Sequence, residues 1–250
     1  MTVLRLAGVH AKYTLLETMR VPIAVIGGLV FPALSLLFFV VPQRAVAENP
    51  LFATQAVIGL SVFAVLANSL FSFGLTIAEN REKPWEPYLR TLPAPGIARV
   101  LAQVFSTGVL GLASVVPIVV LGALLTAATA TPGRVLGGLV ALALAALPFM
   151  FIGIAIGYSM PSKAAIAVVQ VLMFGLAFGG GLFLPPQAFP EWLEVFSRVL
   201  PSREAREIVV WAASGGALPG WAVVGWAVWT ALSLALALLL FRRDEGRRYR

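Results

Sequence analysis

Cysteine is absent from the 250 residues, histidine occurs once, and Asp, Glu, Lys and Arg together make up 12% of the chain. Without cysteine there is no disulfide, no Cys-ligated zinc or iron–sulfur cluster and no thiol nucleophile. With His10 alone, one chain can form neither a two-histidine metal site nor a histidine-based triad. His10 itself reads as an interfacial residue on a short helix. The shortage of charge excludes the most. A soluble domain carries roughly 25% charged residues. Here 60% of the residues are hydrophobic and the mean hydropathy is +0.93. Too few polar groups remain to cover a water-facing surface. The composition predicts an integral membrane protein.

The net charge of +7 fits basic anchors that face an anionic leaflet, rather than a nucleic-acid surface. Six apolar runs, about 21–41, 52–78, 100–126, 135–158, 164–184 and 219–241, contain no charged residue. Each has about the 20 residues that a helix needs to cross the hydrocarbon core, and the longer ones imply tilt. The expected fold is all-α with six membrane spans in a single domain over 1–250.

Six spans put both termini on one side of the membrane. Arg5, Lys12, Arg20, Arg81, Lys83, Arg90, Arg99, Lys163, Arg242, Arg243, Arg247, Arg248 and Arg250 share that side. Arg44, Arg134, Arg198, Arg203 and Arg206 lie on the other. The excess predicts cytoplasmic termini. Ala45-Val46-Ala47 resembles a cleavage site, but the apolar run before it is longer than the usual signal-peptide core, so the first span is expected to stay. Residues 1–20 place Leu6, Val9, Tyr13 and Leu16 at helical spacing and predict a helix lying in the membrane surface.

One cytoplasmic stretch breaks the apolar pattern. Residues 79–96, ENREKPWEPYLRTLPAPG, hold six charged residues and four prolines. Trp85, Tyr88, Leu89 and Leu92 share one helical face, and Glu86 and Arg90 are spaced to pair on another. Pro93 and Pro95 stop the helix. Its apolar face suits either the headgroup layer or a groove on a cytoplasmic partner. On the opposite side, three glycines and two prolines end the fifth span. Two short helices are expected in the 185–218 region. In the first, Trp192, Phe196, Val199 and Leu200 share a face and Glu194 pairs with Arg198. Ser202 reads as the N-cap of the second, and its Arg203, Glu204, Arg206 and Glu207 read as a solvated face.

No Asp, Glu, His or Lys lies within a span, which argues against a proton- or ion-coupled carrier. No catalytic pair, metal-ligand set or phosphate-binding G-x-x-x-x-G-K-[ST] run is present. Active transport would therefore draw its energy from another polypeptide. Ser61, Asn68, Ser69, Ser72 and Thr76 form a polar line on the second span; they suit a substrate path or polar packing between helices. Gly153-x-x-x-Gly157 and Gly175-x-x-x-Gly179 permit close helix approach.

Together these features resemble the type 2 ABC exporter permeases, the membrane subunits of bacterial drug, lipid and polysaccharide export systems, over essentially the whole chain. The resemblance rests on the N-terminal interfacial helix, the six spans and two motifs. One is E-x-R-E…L-x-x-L-P, here Glu79, Arg81, Glu82, Leu89, Leu92 and Pro93. The other is G-x-F-x-P-P…F-P-x-W-L…L-P, here Gly181, Phe183, Pro185, Pro186, Phe189, Pro190, Trp192, Leu193, Leu200 and Pro201. Family loops often read E-R-E-x-G-T where this chain has Lys83-Pro84-Trp85.

The resemblance implies that residues 79–98 carry a coupling helix docking on a separate ATP-binding cassette subunit. Trp85, Tyr88 and Leu89 would be seated in that subunit, with Arg81, Glu82, Glu86 and Arg90 at the rim. It implies a second permease copy or paralogue, surrounding lipids, a bacterial inner-membrane location, and outer re-entrant helices before span six. ATP and magnesium would be held by the partner, with no cofactor in this chain. The implied cargo is hydrophobic drugs, antibiotics or lipids. The alternative is a scaffold or assembly factor that uses residues 79–96 to recruit a soluble protein and moves nothing.

Overall fold

The computed structural model describes residues 3–20, 22–84 and 96–246. Among these residues every regular element is a helix. The chain runs through α1 (Val3–Met19), α2 (Pro22–Phe39), α3 (Arg44–Ala47) and α4, one unbroken rod from Pro50 to Glu82. Then come α5 (Gly96–Ala113), α6 (Val115–Leu125), α7 (Pro132–Ala145), α8 (Leu147–Ser159) and α9 (Ser162–Gly179). The last are α10 (Glu191–Ser197), α11 (Pro201–Ser214) and α12 (Gly220–Gly246). Among the described residues, five apolar helical rods are long enough to cross a membrane: Pro50–Glu82, Leu101–Leu125, Pro132–Ser159, Ser162–Gly179 and Gly220–Asp244. They coincide with the last five runs of the sequence. At the first run, α2 carries a described apolar stretch of Val30–Phe39, shorter than a full span.

Rod α4 lies at the centre. Phe63, Leu66, Leu70 and Phe73 are fully buried along it. Asn49 starts the rod: its side chain accepts from the backbone N–H of Leu51 and Phe52, and Pro50 occupies the first turn, where its missing N–H costs nothing. Midway, Leu70–Leu75 widens into a π-helical turn. Such turns shift the bonding register and occur mostly at functional sites. This segment faces the Gly153-x-x-x-Gly157 pair of α8. A Cβ at Gly153 would lie 2.9 Å from both the Phe73 Cβ and the Ser69 carbonyl, and one at Gly157 would lie 2.7 Å from Ile77 Cβ. The two helices therefore touch backbone to backbone.

The end of the fifth span is shorter than its apolar run. α9 stops at Gly179 rather than continuing to residue 184. Gly181 takes φ +73°, a left-handed conformation that glycine adopts at little cost. The Leu182 N–H then donates to the Ala177 carbonyl and the Gly181 N–H to that of Phe178, a Schellman closure. The turn drives Phe183 into the bundle, with ring centroids 4.7 Å from Phe63, 5.1 Å from Phe178 and 6.0 Å from Phe39. The phenylalanine of the G-x-F-x-P-P motif is thus a wedge between α2, α4 and α9. Gly181→Ala places a Cβ 2.8 Å from Pro186 Cγ at an unfavourable φ. It is expected to cost about 1–2 kcal/mol, read as a lower melting temperature in detergent.

α1 is helical over the residues whose spacing predicted a helix. Ala11 is buried and the helix packs along α5, while Val9, Tyr13 and Leu16 stay exposed along one edge. α10 also forms where the periodicity places it. Trp192, Phe196 and Val199 are exposed, and Arg198 Nε lies 2.9 Å from Glu194 Oε1.

Ser202 departs from the expectation. α11 begins at Pro201 with Leu200 as its cap, and the Ser202 hydroxyl donates to the Leu176 carbonyl at 2.6 Å. It ties α11 to the end of α9 instead of capping a helix. The solvated face expected for this helix is also overturned. Arg203, Glu204 and Arg206 are all buried, because α11 packs into the bundle against α4, α7 and α12.

Candidate functional site

The lower end of α4 ties together four helices. Arg81 Nη1 donates to the Gly157 carbonyl at 2.9 Å, satisfying an acceptor near the end of α8. Its Nη2 lies 2.8 Å from Asp244 Oδ1 on α12, with Nε at 3.2 Å from the same oxygen. The guanidinium also stands 5.8 Å from the Tyr158 ring centroid, within cation–π range. Next to it, the Glu82 carboxylate accepts from the Ser162 backbone N–H at 2.8 Å and from the Ser162 hydroxyl at 2.7 Å. It serves as a cap supplied from another helix to the first turn of α9, where N–H groups lack intrahelical partners. These bonds, with the charges of Arg81 and Lys163, hold its carboxyl below the usual value.

The E-x-R-E motif therefore has a legible job within the chain. Arg81 and Glu82, read from sequence as rim residues of a docking surface, both reach back to their own bundle. Trp85, Glu86, Tyr88, Leu89 and Arg90, the rest of the coupling-helix reading, lie outside the described residues.

The polar line of α4 does not converge on one space. Ser61 is buried, returns its hydroxyl to the Val57 carbonyl at 2.7 Å, and lines a cavity at the upper end of the bundle. Asn68 donates from Nδ2 to the Thr107 carbonyl on α5 at 3.0 Å, and the Ser72 hydroxyl lies 3.4 Å from Asn68 Oδ1. Gln103 of α5 extends this network, with Nε2 at 3.4 Å from the Ser72 carbonyl and 3.3 Å from the Thr107 hydroxyl. The Ser72 carbonyl belongs to the π-helical turn, so α5 supplies a side-chain donor to the irregular part of α4. Ser69 is buried on the α8 side, and Thr76 is half-buried near the lower end. Gln103 and Thr107, four apart on the third span, were the sequence signal for this network.

The second polar cluster is the set of α11 charges that the sequence placed on a solvated face. On α11, Glu207 Oε1 lies 3.2 Å from Arg203 Nε and 2.9 Å from Arg206 Nη1. Arg206 Nη2 donates to Gln55 Oε1 of α4 at 3.2 Å. Glu204, at 2% exposure, turns instead toward α12, where its carboxyl fills the place of the side chain that Gly225 lacks. Its Oε2 makes no hydrogen bond among the described residues. Burial alone pushes this carboxyl up to about 8, so it is mostly protonated and uncharged at neutral pH. Burial also lowers the Arg203 and Arg206 values, against the pull of Glu207.

The architecture can be set beside known proteins. The family model described as ABC-2 type transporter matches residues 8–213. YvfS of Bacillus subtilis (strain 168), which carries the name of a transport permease, is 25% identical over 179 residues. That alignment covers 71% of this chain and 73% of the relative. The family match takes in the rod α4, the Arg81–Glu82 junction, the wedge at Phe183 and nearly all of α11. This chain belongs to the ABC-2 type transporter family.

Proposed function

We propose that the chain, as the membrane permease subunit of an ABC transporter, exports hydrophobic drugs, antibiotics or lipids from the cytoplasm or inner leaflet. In this reading α2 completes a set of six spans, both termini are cytoplasmic, and two permease copies pair in the bacterial inner membrane. Residues 79–98 receive a separate ATP-binding subunit, with Trp85, Tyr88 and Leu89 as the apolar contacts. The exposed α9 edge of Val171, Phe174 and Phe178 supports pairing through the side chains of that helix. The polar line of α4 would face the path when α4 and α5 separate, exchanging Thr107 and Gln103 for solute.

The observation that carries the reading is the junction at Arg81 and Glu82. Arg81 and Glu82, at the start of this segment, are bonded to α8, α9 and α12 at once. A push on the loop is therefore delivered to three helices besides α4. In this reading Arg81 serves transmission and Trp85 docking, and the two roles separate experimentally. Arg81→Ala is expected to leave co-purification of the ATP-binding subunit intact while uncoupling ATP hydrolysis from transport in proteoliposomes. Tight coupling retained in Arg81→Ala would remove the junction from the mechanism.

A further inference from the structure

We infer that each permease holds one phospholipid acyl chain in a slot inside its own bundle, apart from any path between two copies. The slot is a cavity of about 370 Å³ between α4, α6, α7 and α11. It lies at the end of the bundle opposite the Arg81 junction. Its deep end is formed by buried Ile58, Ser61, Val115 and Leu142, and its mouth by exposed Ala123 and Ala130. Thr54 to Ser61 lie along one wall, about 10 Å at the helical rise.

The slot is chemically suited to hydrocarbon. An apolar cavity of roughly 150 Å³ already stays dry and takes benzene; this one is larger. Water needs two to four polar partners to stay in a cavity. Here the Ser61 hydroxyl is committed to the Val57 carbonyl at 2.7 Å, and that of Thr54 to the Pro50 carbonyl at 2.7 Å. The Thr54 oxygen also accepts from the Thr129 N–H at 3.1 Å. The hydroxyls of Ser61 and Thr54 are thus spent on their own chain, and Thr129, the third threonine or serine of the lining, is exposed.

The mouth supplies the other half of an amphiphile's requirements. Arg134 of α7 is exposed, and its Nη1 donates to the Ser214 carbonyl at the end of α11. The guanidinium therefore spans the two helices that contribute Val135 and Ala213 to the slot. The guanidinium lies over Gly215 and is exposed, so a phosphate reaching this end of the bundle finds N–H donors there, of the kind that Arg offers phosphates. A tail in the slot and a phosphate at Arg134 define a membrane phospholipid entering from the leaflet at that end.

The test uses the full chain in vesicles of phosphatidylglycerol doped with phosphatidylglycerol bearing a photoactivatable group on one acyl chain. Crosslinked peptides are mapped by mass spectrometry. The ATP-binding subunit is not needed, so the result is independent of the exporter reading. Crosslinks are expected within 54–61, 115–123 and 135–142. Ala123→Trp plugs an exposed position at the mouth, and Ser61→Leu fills the deep end. Losing room for two methylenes corresponds to about tenfold in occupancy, and both variants should lower the slot crosslinks by that order. Arg134→Ala should lower them and Arg134→Lys should retain part of the yield. Crosslinks confined to outward faces such as α12, or unchanged by Ala123→Trp and Ser61→Leu in protein of normal gel-filtration profile, would overturn the inference. An Arg134→Ala yield equal to wild type would overturn the phosphate contact.

Discussion

Gly157→Ala is expected to lower the melting temperature of the purified permease by about 4–8 °C, whereas Gly175→Ala leaves it unchanged or raises it. The two glycines have the same sequence signature, each in a G-x-x-x-G pair within an apolar span. Their surroundings differ. A methyl group at Gly157 would meet the Phe73 carbonyl at 2.8 Å and Ile77 Cβ at 2.7 Å. Neither can rotate away, so α8 must move off α4. Overpacking of this kind costs about 1–3 kcal/mol, and in a chain of this size each kcal/mol is worth roughly 2–4 °C. The shift also pulls the Gly157 carbonyl from Arg81. At Gly175 an added Cβ has nothing within 4 Å, so only the helix-propensity gain of alanine, up to about 1 kcal/mol, remains. Thermal unfolding followed by intrinsic tryptophan fluorescence distinguishes the cases. Equal destabilisation at both sites would mean that the α4–α8 contact is not the tight one.

Glu204→Gln is expected to make the protein more stable at pH 8 and to change little at pH 4.5. The Glu204 carboxyl stands at about 8 in the fold against an ordinary 4.5. Between these values the unfolded chain has released the proton and the folded chain has kept it. Stability therefore falls as pH rises through the window and levels off above about 8. Each pKa unit is worth about 1.4 kcal/mol, so the wild type gives up on the order of 4 kcal/mol across the window. Glutamine keeps the shape against Gly225 and has no proton to release. The variant's melting temperature at pH 8 should exceed that of the wild type by about 5 °C or more. Parallel pH profiles for the two proteins would show that Glu204 does not keep its proton in the fold.

The sequence carried the architecture because the bilayer makes apolar length and helix nearly synonymous. α1, α10 and the five spans appear where hydropathy and periodicity put them, and glycine and proline end α9. What it could not carry was direction. The charges of α11 recur at helical spacing as they would on any solvated helix; only the packing of α4, α7 and α12 around them shows that they are inside. Arg81 and Glu82 were legible as important, since charge is scarce, but their partners lie in α8, α9 and α12, from 76 to 163 residues away in sequence. The π-helical turn at Leu70–Leu75 leaves no residue-type signature, and its donor Gln103 lies 31 residues from Ser72 in sequence. Of the polar line on α4, spacing showed a common face, yet Ser61, Asn68 and Ser69 meet three different neighbours.

The central claim, that residues 79–98 receive the force of ATP hydrolysis from a separate subunit, is tested most directly by co-expressing the permease with its ATP-binding subunit. Co-purification and ATPase activity are compared for wild type and Trp85→Ala/Tyr88→Ala. The account expects the subunit to come away with the wild type and to be lost, with the permease-stimulated ATPase activity, in the double variant. Full binding and full activity in the double variant would contradict it and leave the loop as a membrane anchor.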